Sequence, residues 1–559
     1  MKAQKQQASR NTAQALVRIL EKLGVETVFG IPGAKIDSVF EALLDSKIRL
    51  VICRHEQNAA FMAAAVGRLT GKVGVVLVTS GPGVGNLATG LATATTEGDP
   101  VLAIGGEVPL EERSKSTHQS LLSVTLMRPV TKYAAEIVTP LQIGELVSEA
   151  VRAAETGRPG ATFLSLPRDV GLAPCDVDTD LPFGRVPSAG AGATSEAEKM
   201  AKVLAASKKP TLLLGMQASD PRCSEQLRQF IAATGIPFVS TFQGPGEWAA
   251  GKNPKLFGGR IGLFKNQPGD RLLAASDCVV TIGYEPVEYD PEFWNEDPRR
   301  PILAVDSVLA RQDRHYLPAA ELIGDIGASL TLLQNKAQVK IDPAHLALAA
   351  AGRSEIDGAI AKGAKKEEFP VHPLRILHEL NQVVTDETTV ALDVGSNYVW
   401  MNRYFAAHRA RQVLVSNGQQ TLGVALPWAI ATHLLRPGKP IISVSGDGGF
   451  MFSSTELETA VRLGARFVHL VWDSGTYDMV AFQEQAHYGK TAGIQLGHVD
   501  IPKFAEAFGC HGVAIRKAAE LGPALREGLA SPVPFLIQIP VDYSENLSLM
   551  KELHTTALN

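Results

Sequence analysis

The chain has 559 residues, of which 45% are hydrophobic and 20% are charged. A chain of this length buries several hydrophobic cores and favours roughly three or four domains. The formal net charge is only -4 and no long basic run is present, which excludes the electrostatic footprint of a protein that binds nucleic acid or an anionic membrane surface. We therefore expect an enzyme that acts on small molecules, with no nucleic-acid and no membrane partner.

The five cysteines argue against a disulfide framework and against a zinc site, because they are scattered, odd in number and lack any CxxC pair. The amino-terminal stretch MKAQKQQASRNTAQ is polar, and no uncharged apolar stretch is long enough to cross a bilayer. We therefore expect reduced thiols and a cytoplasmic location.

The first block of the chain, residues 1–182, begins with the helical segment TAQALVRILEKLG and then alternates short apolar runs with alanine-rich segments. This alternation predicts α/β units on a parallel sheet. The apolar runs that we interpret as strands are VETVFG, RLVICR, GVVLVTS, PVLAIGG and TFLSLPRD. A cluster of proline, glycine and serine, LPFGRVPSAGAGATS, separates this block from the next one.

The same alternation occurs twice more. Residues 190–335 contain the predicted strands PTLLLG, PFVSTF, CVVTIG and ILAVD, and residues 336–370 are a polar, helical or loose connector. Residues 371–559 contain the predicted strands TTVALDVG, QVLVSNG, PIISVSGDGG, RFVHLVWD and PFLIQIPVD. The fold class that we predict is α/β, with three doubly wound parallel-sheet domains.

The third block contains the sequence SGDGG at residues 445–449, directly after the apolar run PIISV. In doubly wound sheets, ligands bind beyond the carboxyl ends of the strands, and this aspartate lies at such an end. The glycines allow the backbone to approach a ligand, and a helix amino terminus behind them favours an anion. Taken alone, the motif is equally compatible with a plain strand-to-helix turn.

The segments after SGDGG favour a ligand site. The helical segment STELETAVRLG leads to the strand RFVHLVW and then to the turn DSGTYDM, so one crossover places Asp447 and residues 473–476 side by side at one sheet edge. Oxygens from Asp447, from this turn and from a bound diphosphate would complete an octahedral Mg²⁺ site. We therefore predict that Asp447 binds a metal ion and that Gly446, Gly448 and Gly449 admit a diphosphate.

This order of GDG, helix, apolar strand and polar turn resembles the signature of thiamine-diphosphate-dependent enzymes, and the resemblance covers nearly the whole chain. The stretches VFGIPGAKID, TSGPGVGNLATGLATA, HQSLLSVTLMRPVTKYA and DMVAFQEQ are most similar to acetolactate synthases of the catabolic type. The resemblance implies thiamine diphosphate and Mg²⁺ as cofactors and a role in acetoin and butanediol formation. It implies that one pyruvate loses CO₂ and that the resulting hydroxyethyl enamine adds to a second pyruvate, giving 2-acetolactate.

The resemblance also implies that the protein binds no FAD. In flavin-binding relatives the middle domain carries an arginine and paired aspartates after a strand that here reads CVVTIGYEPVEYDP, and the Arg-Phe-Asp-Asp-Arg pattern is absent. The middle domain instead carries GGRIGLFKNQPGDRLL, which is similar to the catabolic type.

Two stretches that match the family carry residues for the aromatic part of the cofactor. RHEQNAAFMAAAVGRLTG contains Glu56, which the resemblance makes the glutamate that hydrogen-bonds N1′ of the aminopyrimidine from an apolar site. In SNGQQTLGVALPWAIA, Leu422 matches the bulky residue that wedges between the two cofactor rings. The carbonyl group of Gln420 would accept a hydrogen bond from the 4′-amino group.

The third stretch, LDVGSNYVW, provides Gly395, Ser396 and Asn397, which match the family loop that contacts the diphosphate from a neighbouring strand end. We also assign Tyr477 to the cofactor site.

The resemblance further points to residues that contact the substrate. Gln119, in THQSLL, matches a glutamine close to the reacting carbon, and Lys35, in PGAKID, could offer its charge to a pyruvate carboxylate. Met479 and Val480 would line the acceptor pocket. Gln483 stands where relatives that favour 2-ketobutyrate carry a tryptophan, so coupling of two pyruvate molecules is favoured.

One position departs from the family pattern. Relatives usually have Asn or Asp as the second metal ligand, whereas alignment through Trp472 and Tyr477 places Ser474 there. Either the Ser474 hydroxyl coordinates the metal or the turn shifts so that Asp473 reaches it, and the intact flanking register favours Ser474. The backbone carbonyl of Thr476 would be the third protein ligand in either case.

Two other functions remain open. One is another thiamine-diphosphate enzyme, a 2-oxoacid decarboxylase or a pyruvate oxidase, although decarboxylases usually show a paired-histidine motif that is absent here and oxidases need flavin. The other is a catalytically silent relative, against which Glu56 and Asp447 argue. Family precedent places these two carboxyl groups on different subunits around one cofactor, so we expect a homodimer or homotetramer with the cofactor at the subunit interface.

Overall fold

The structure, a computed structural model, describes residues 10–550 of the chain. Most of the polar amino-terminal stretch used for the localisation prediction therefore lies outside the described residues. The described chain forms two compact units, of which the first comprises the residues through Pro187 together with Ile430–Leu435. The second unit comprises Ser188–Ala429 and the residues from Arg436 onward.

The first unit contains a six-stranded sheet in which all paired strands are parallel. Its strands are β1 (Thr27–Ile31), β2 (Arg49–Ile52), β3 (Gly74–Val78), β4 (Val101–Glu107), β5 (Tyr133–Glu136) and β6 (Ala161–Pro167). Their order across the sheet is β2-β1-β3-β4-β6-β5. Its helices are α1 (Thr12–Lys22), α2 (Asp37–Leu43), α3 (Glu56–Thr70), α4 (Pro82–Gly85), α5 (Ala88–Glu97), α6 (Ser123–Met127), α7 (Ile143–Glu155) and α8 (Arg168–Leu172).

The second unit begins with a middle sheet, which is also six-stranded and parallel. Its strands are β7 (Pro210–Leu214), β8 (Phe238–Thr241), β9 (Phe257–Ile261), β10 (Cys278–Ile282), β11 (Ile302–Asp306) and β12 (Ala320–Ile323). The order β12-β11-β10-β7-β8-β9 is the winding of many dinucleotide-binding sheets. Its helices are α9 (Thr194–Ala206), α10 (Ser224–Thr234), α11 (Pro268–Ala274), α12 (Pro291–Trp294), α13 (Ile326–Gln334) and α14 (Pro343–Gly363), the last within the predicted connector.

The third sheet belongs to the same unit and has the order β14-β13-β15-β16-β18-β17. Its parallel strands are β13 (Thr389–Leu392), β14 (Val413–Leu414), β15 (Ile441–Gly446), β16 (Val468–Asp473), β17 (His511–Ala514) and β18 (Phe535–Pro540). The helices of this part of the chain are α15 (Pro373–Val383), α16 (Ser396–Tyr404), α17 (Ala425–Leu435), α18 (Asp447–Met451), α19 (Glu456–Arg462), α20 (Asp478–Tyr488), α21 (Ile501–Ala507) and α22 (Leu521–Ala530). Only the first half of α17 belongs to the second unit, since Ile430–Leu435 belongs to the first.

The three parallel sheets confirm the predicted fold class. Central strands such as β3, β4 and β10 are buried along their whole length, as expected of parallel strands covered by helices on both faces. In the second unit, one continuous hydrophobic core includes residues of both the middle and the third sheet. Among residues 10–550, no helix combines the length and the apolar character needed to span a membrane.

Each sheet has a point beside its first strand at which the strand order reverses. This point lies between β1 and β3 in the first sheet, between β7 and β10 in the middle sheet, and between β13 and β15 in the third sheet. Loops that follow the two strands flanking such a point turn toward opposite faces, so a crevice that suits a ligand forms between them.

Candidate active site

Glu56 lies at the carboxyl edge of the first sheet, where it is the first residue of α3. The preceding His55 caps this helix, since its Nδ1 accepts a hydrogen bond from the Gln57 backbone N–H at 3.1 Å. Oε2 of Glu56 accepts a hydrogen bond of 2.9 Å from Nδ2 of Asn86. The half-buried carboxyl group is therefore held by the turn that follows β3.

Gln119 lies in the loop that follows β4, and the same turn after β3 contacts it. The hydroxyl group of Ser80 donates a hydrogen bond to Oε1 of Gln119 at 3.2 Å. Glu56 and Gln119 are thus connected through one turn, residues 80–86, which we call the β3 turn.

Lys35 follows β1 at the same edge. A Cβ atom added to Gly106, near the end of β4, would lie 2.6 Å from the backbone carbonyl oxygen of Lys35. The three residues predicted to be catalytic therefore follow strands β1, β2 and β4 of one sheet.

Asp447 and the turn after β16 lie side by side at the edge of the third sheet, as the crossover argument predicts. β15 and β16 are parallel neighbours in which Gly446 pairs with Trp472. Oδ2 of Asp447 accepts a hydrogen bond of 2.7 Å from the backbone N–H of Gly475. Within the turn, the Ser474 hydroxyl donates to the backbone carbonyl oxygen of Thr476 at 3.1 Å.

Asp473 also lies beside Asp447. Burial, together with the nearby charge of Asp473, raises the pKa of Asp447 to about 6. Oδ2 of Asp473 accepts a hydrogen bond of 2.6 Å from Nε2 of Gln538. Two adjacent carboxyl groups repel each other when both are charged, and a bound cation would relieve the repulsion.

The residues present suit a hard cation and a diphosphate. Asp447, the Ser474 hydroxyl and the Thr476 carbonyl offer only oxygen atoms, the ligands that Mg²⁺ prefers. A Cβ atom at Gly475 would meet nothing within 4 Å, and one at Gly446 would meet only two atoms, at 3.8 and 4.0 Å. The described residues contain no group of three or more His, Cys, Asp and Glu side chains that could hold a metal ion, so a metal here would depend on hydroxyl and carbonyl ligands.

The loop after β13 lies on the other side of the crevice. Ser396 and Asn397 are buried, and Gly395 has a φ of 144°, a conformation that favours glycine. Nδ2 of Asn397 donates to the backbone carbonyl oxygen of Asp393 at 2.9 Å. A hydrogen bond between residues of the loop therefore holds its conformation, and Gly395 directly precedes the helix that begins at Ser396.

Asp393 connects this loop with the predicted cofactor wedge. Both carboxylate oxygens of this buried residue accept hydrogen bonds of 2.9 Å from the Gly423 backbone N–H, next to Leu422. Burial raises the pKa of Asp393 to about 7. Leu422 is half-buried and packs against the core, whereas Gln420 is exposed and has a φ of 46°.

Two cavities open beside Asp447 and the turn after β16. One of about 520 Å³ is lined by Asp447, Gly448, Tyr477 and exposed Phe452 among others. A Cβ atom at Gly448 would lie 2.6 Å from the Tyr477 ring, so only glycine allows this ring to pack here, and a Cβ atom at Gly449 would lie 3.1 Å from Oδ2 of Asp393.

The second cavity has a volume of about 470 Å³ and is lined in part by Ser474, Thr476 and Phe482. The residues predicted to form the acceptor wall do not line it. Met479 is buried, Val480 is 45% exposed and Gln483 is half-buried.

Two residues of this cavity were not predicted from the sequence. One of them is Asp478, which lies beside Ser396; burial raises the pKa of its carboxyl group to about 7, and its Oδ2 is buried without a hydrogen-bond partner. The Ser396 hydroxyl in turn accepts a hydrogen bond of 2.8 Å from Nδ2 of Asn546, in the carboxyl-terminal segment. Asp478, the second aspartate in DSGTYDM, could have been predicted, because this segment follows a strand at the sheet edge. The other residue is Asn546, and no local sequence pattern predicts that it reaches this edge.

Comparisons with known proteins agree with this arrangement of domains. Residues 10–127 match the N-terminal TPP binding domain of thiamine pyrophosphate enzymes, residues 197–333 their central domain, and residues 393–539 their C-terminal TPP binding domain.

Similar proteins extend over nearly the whole chain. The chain is 46% identical over 549 residues to the catabolic acetolactate synthase of Raoultella terrigena, with 98% of each chain covered. It is 45% identical over 558 residues to an acetolactate synthase of Bacillus subtilis, with 99% of this chain and 96% of that one covered. A more distant relative is the large subunit of acetolactate synthase isozyme 2 of Escherichia coli, with 29% identity and 96% of each chain covered.

Proposed function

Because the chain belongs to the thiamine pyrophosphate enzyme family, we propose that it is an acetolactate synthase of the catabolic type. It would convert two molecules of pyruvate into 2-acetolactate and CO₂. The observation that carries this proposal is the identity of 46% and 45% to two acetolactate synthases over nearly the whole chain.

Thiamine diphosphate and Mg²⁺ are the cofactors that we propose. When bound, thiamine diphosphate supplies an electron sink for the electron pair that stays behind when CO₂ leaves. Asp447, the Ser474 hydroxyl and the Thr476 carbonyl would hold Mg²⁺, with Asp473 as the alternative second ligand. The open space at Gly446 and Gly475 supports this assignment.

The residues at the carboxyl edge of the first sheet would transfer protons and orient the substrates. Glu56, held by Asn86, would exchange a proton through its carboxyl oxygen with the aminopyrimidine. Gln119 and Lys35 would bind oxygen atoms of pyruvate, which orients the reacting carbon. Leu422 and the Gln420 carbonyl would hold the cofactor rings in their reactive arrangement.

The phosphate end of the cofactor would lie between the loops that flank the β13–β15 crevice. Gly395, Ser396 and Asn397 would approach it from one side, and Gly446, Gly448, Gly449 and Tyr477 from the other. Gly395 and the two glycines that pack without a Cβ atom support this arrangement.

Met479, Val480 and Gln483 remain the proposed acceptor wall. A glutamine at position 483 gives less apolar contact than an indole to the extra methylene group of 2-ketobutyrate, a difference of about 1 kcal/mol. Pyruvate is therefore the proposed acceptor.

The active protein would be a homodimer or homotetramer in which Glu56 of one subunit and Asp447 of another face one cofactor. We propose that no FAD is needed, because the loops after β7 and β10 lie in direct contact at the crevice where a dinucleotide would lie in this winding. A Cβ atom at Gly215 would lie 2.3 Å from the carbonyl oxygen of Gly283. A cytoplasmic location is part of the same proposal.

The test is incubation of the purified protein with pyruvate, Mg²⁺ and thiamine diphosphate, without FAD, followed by separate measurement of acetolactate and acetaldehyde. We expect acetolactate, and a loss of about 100- to 10,000-fold in the Glu56→Gln variant. Acetaldehyde as the main product would instead identify a simple decarboxylase. No turnover of pyruvate by the folded wild-type protein with bound cofactor would contradict the proposal.

A further inference from the structure

The hydroxyl group of Ser80 is the feature of the first sheet edge that the proposed function does not use. Ser80 is completely buried at the start of the β3 turn. Its hydroxyl donates a hydrogen bond to Oε1 of the Gln119 side chain at 3.2 Å. In this contact the hydroxyl is the donor and Oε1 the acceptor, so Nε2 is the end of the half-buried Gln119 amide that is not bonded to Ser80.

The backbone around this contact is fixed as well. Gln119 has a φ of 64°, which is uncommon for a residue with a side chain. The neighbouring Gly81 has a φ of 61°, and a Cβ atom there would lie 3.0 Å from Cβ of Gln119 and 3.1 Å from its Cα. The β3 turn therefore lies in direct contact with both the backbone and the side chain of Gln119.

A second contact anchors the loop that carries Gln119. Glu107, the last residue of β4, and Ser123, the first residue of α6, lie on either side of this loop and both are buried. The Ser123 hydroxyl donates to Oε2 of Glu107 at 2.5 Å. Because this hydrogen bond joins the two ends of the loop, it helps to hold Gln119 at the position where Ser80 donates to it.

The consequence concerns the Gln119 amide. An amide side chain has one end that accepts and one end that donates, and the two are interchanged by rotation about one bond. With Oε1 bound by Ser80, Nε2 is the end left to meet a ligand, and it can only donate. A donor is what an oxygen atom that gains negative charge during a reaction requires.

We propose that Ser80 is a positioning residue that holds the Gln119 amide so that Nε2 donates to an oxygen atom of the bound 2-oxo acid. This inference rests on the proposed function, because it takes Gln119 to contact the substrate. It adds that Gln119 is the hydrogen-bond donor in that contact and that Ser80 holds the amide in this orientation.

The test is a double-mutant cycle with Ser80→Ala, Gln119→Ala and the double variant, measured as kcat and KM for pyruvate with saturating cofactors. We expect Ser80→Ala alone to lower kcat/KM about 3- to 10-fold, the range for one hydrogen bond. On the Gln119→Ala background the same change should have no effect, because its partner is gone.

A matched control is Ser165→Ala, which removes another completely buried hydroxyl group of the same sheet, one that donates to Oε2 of Glu136 at 2.9 Å. We expect this variant to change the melting temperature as much as Ser80→Ala does while leaving kcat/KM unchanged. If Ser80→Ala does not fold, Ser80→Cys, which keeps a side chain of similar volume, takes its place in the cycle.

The outcomes separate the two proposals. If Gln119→Ala keeps wild-type kcat/KM, the assignment of Gln119 in the proposed function is wrong. If Gln119→Ala is impaired but the Ser80 change lowers kcat/KM by the same factor in both backgrounds, or has no effect in the wild type, the proposed function stands and the role of Ser80 is overturned.

Discussion

In the second unit, the middle and the third sheet each have a reversal point with a potential crevice, and the two crevices differ in what occupies them. At the middle crevice, the loops after β7 and β10 pack directly on each other. The carboxylate of Glu288, which is 1% exposed, accepts hydrogen bonds from the Met216 backbone N–H at 2.8 Å and the Thr241 hydroxyl at 2.6 Å. At the third crevice, Gly446 and Gly475 face open space and Asp447 is half-buried.

This difference shows that topology fixes where a crevice can form but not whether it binds a ligand. A protein carboxylate that bonds backbone N–H groups takes the position that an anionic ligand would otherwise occupy. Glu288 is therefore expected to serve stability, and Asp447 to serve chemistry. Substitutions in the two crevices should separate these roles.

The largest effect is expected from Asp447→Asn. Loss of the carboxylate should lower acetolactate formation at least about 100-fold, because a displaced metal and diphosphate misplace the reacting groups. The melting temperature without cofactors should not fall, since the substitution removes a charge that burial and Asp473 disfavour. Activity near the wild-type level at low Mg²⁺ would contradict the assignment of Asp447 as a metal ligand.

A smaller effect, on stability, is expected from Glu288→Ala. The substitution leaves buried donors of Met216 and Thr241 without their acceptor, which should lower the free energy of unfolding by about 2–5 kcal/mol in urea titrations. The KM for pyruvate of the folded protein should stay unchanged. Glu288→Gln keeps one acceptor oxygen and should cost less. A stable Glu288→Ala protein with a raised KM would break the comparison.

The smallest effect is expected from Asp393→Asn, and it depends on pH. Burial raises the pKa of Asp393 in the folded protein to about 7, above the unfolded value of 3.8, so between these pH values the folded state binds more protons than the unfolded state. The wild-type protein should therefore lose stability relative to the variant as pH rises from 5 to 7, by about 1.4 kcal/mol per pH unit at most. Parallel stability curves for the two proteins would contradict the raised pKa.

Every interior strand of the three sheets could be predicted from the sequence, and so could the edge strands β2 and β14. The strands that sequence reasoning missed are β5, β9, β12 and β17, and each lies at the edge of its sheet. An edge strand is covered on fewer sides and needs no continuous apolar run, as in HGVA of β17, where the burial is only partial. Central strands such as GVVLV of β3 are apolar throughout and were recognised.

The candidate site divides in a similar way. The sequence predicted that Asp447 and the turn after β16 lie side by side, because a single crossover connection joins the two parallel strands that they follow. Contacts such as Ser80 with Gln119, or Asn546 with Ser396, join residues 39 and 150 positions apart. Such pairs depend on how several loops pack, and no local spacing encodes that packing.

The first and the third sheet share one winding, since β2-β1-β3-β4-β6-β5 and β14-β13-β15-β16-β18-β17 are the same order counted from each first strand. Corresponding loops carry the proposed functional groups in both, so that Gln119 after β4 has its counterpart in Ser474 after β16. One architecture is therefore used twice in the chain. The two edges can therefore carry different side chains, because a change at one edge leaves the hydrogen-bonded ladder of the other sheet untouched.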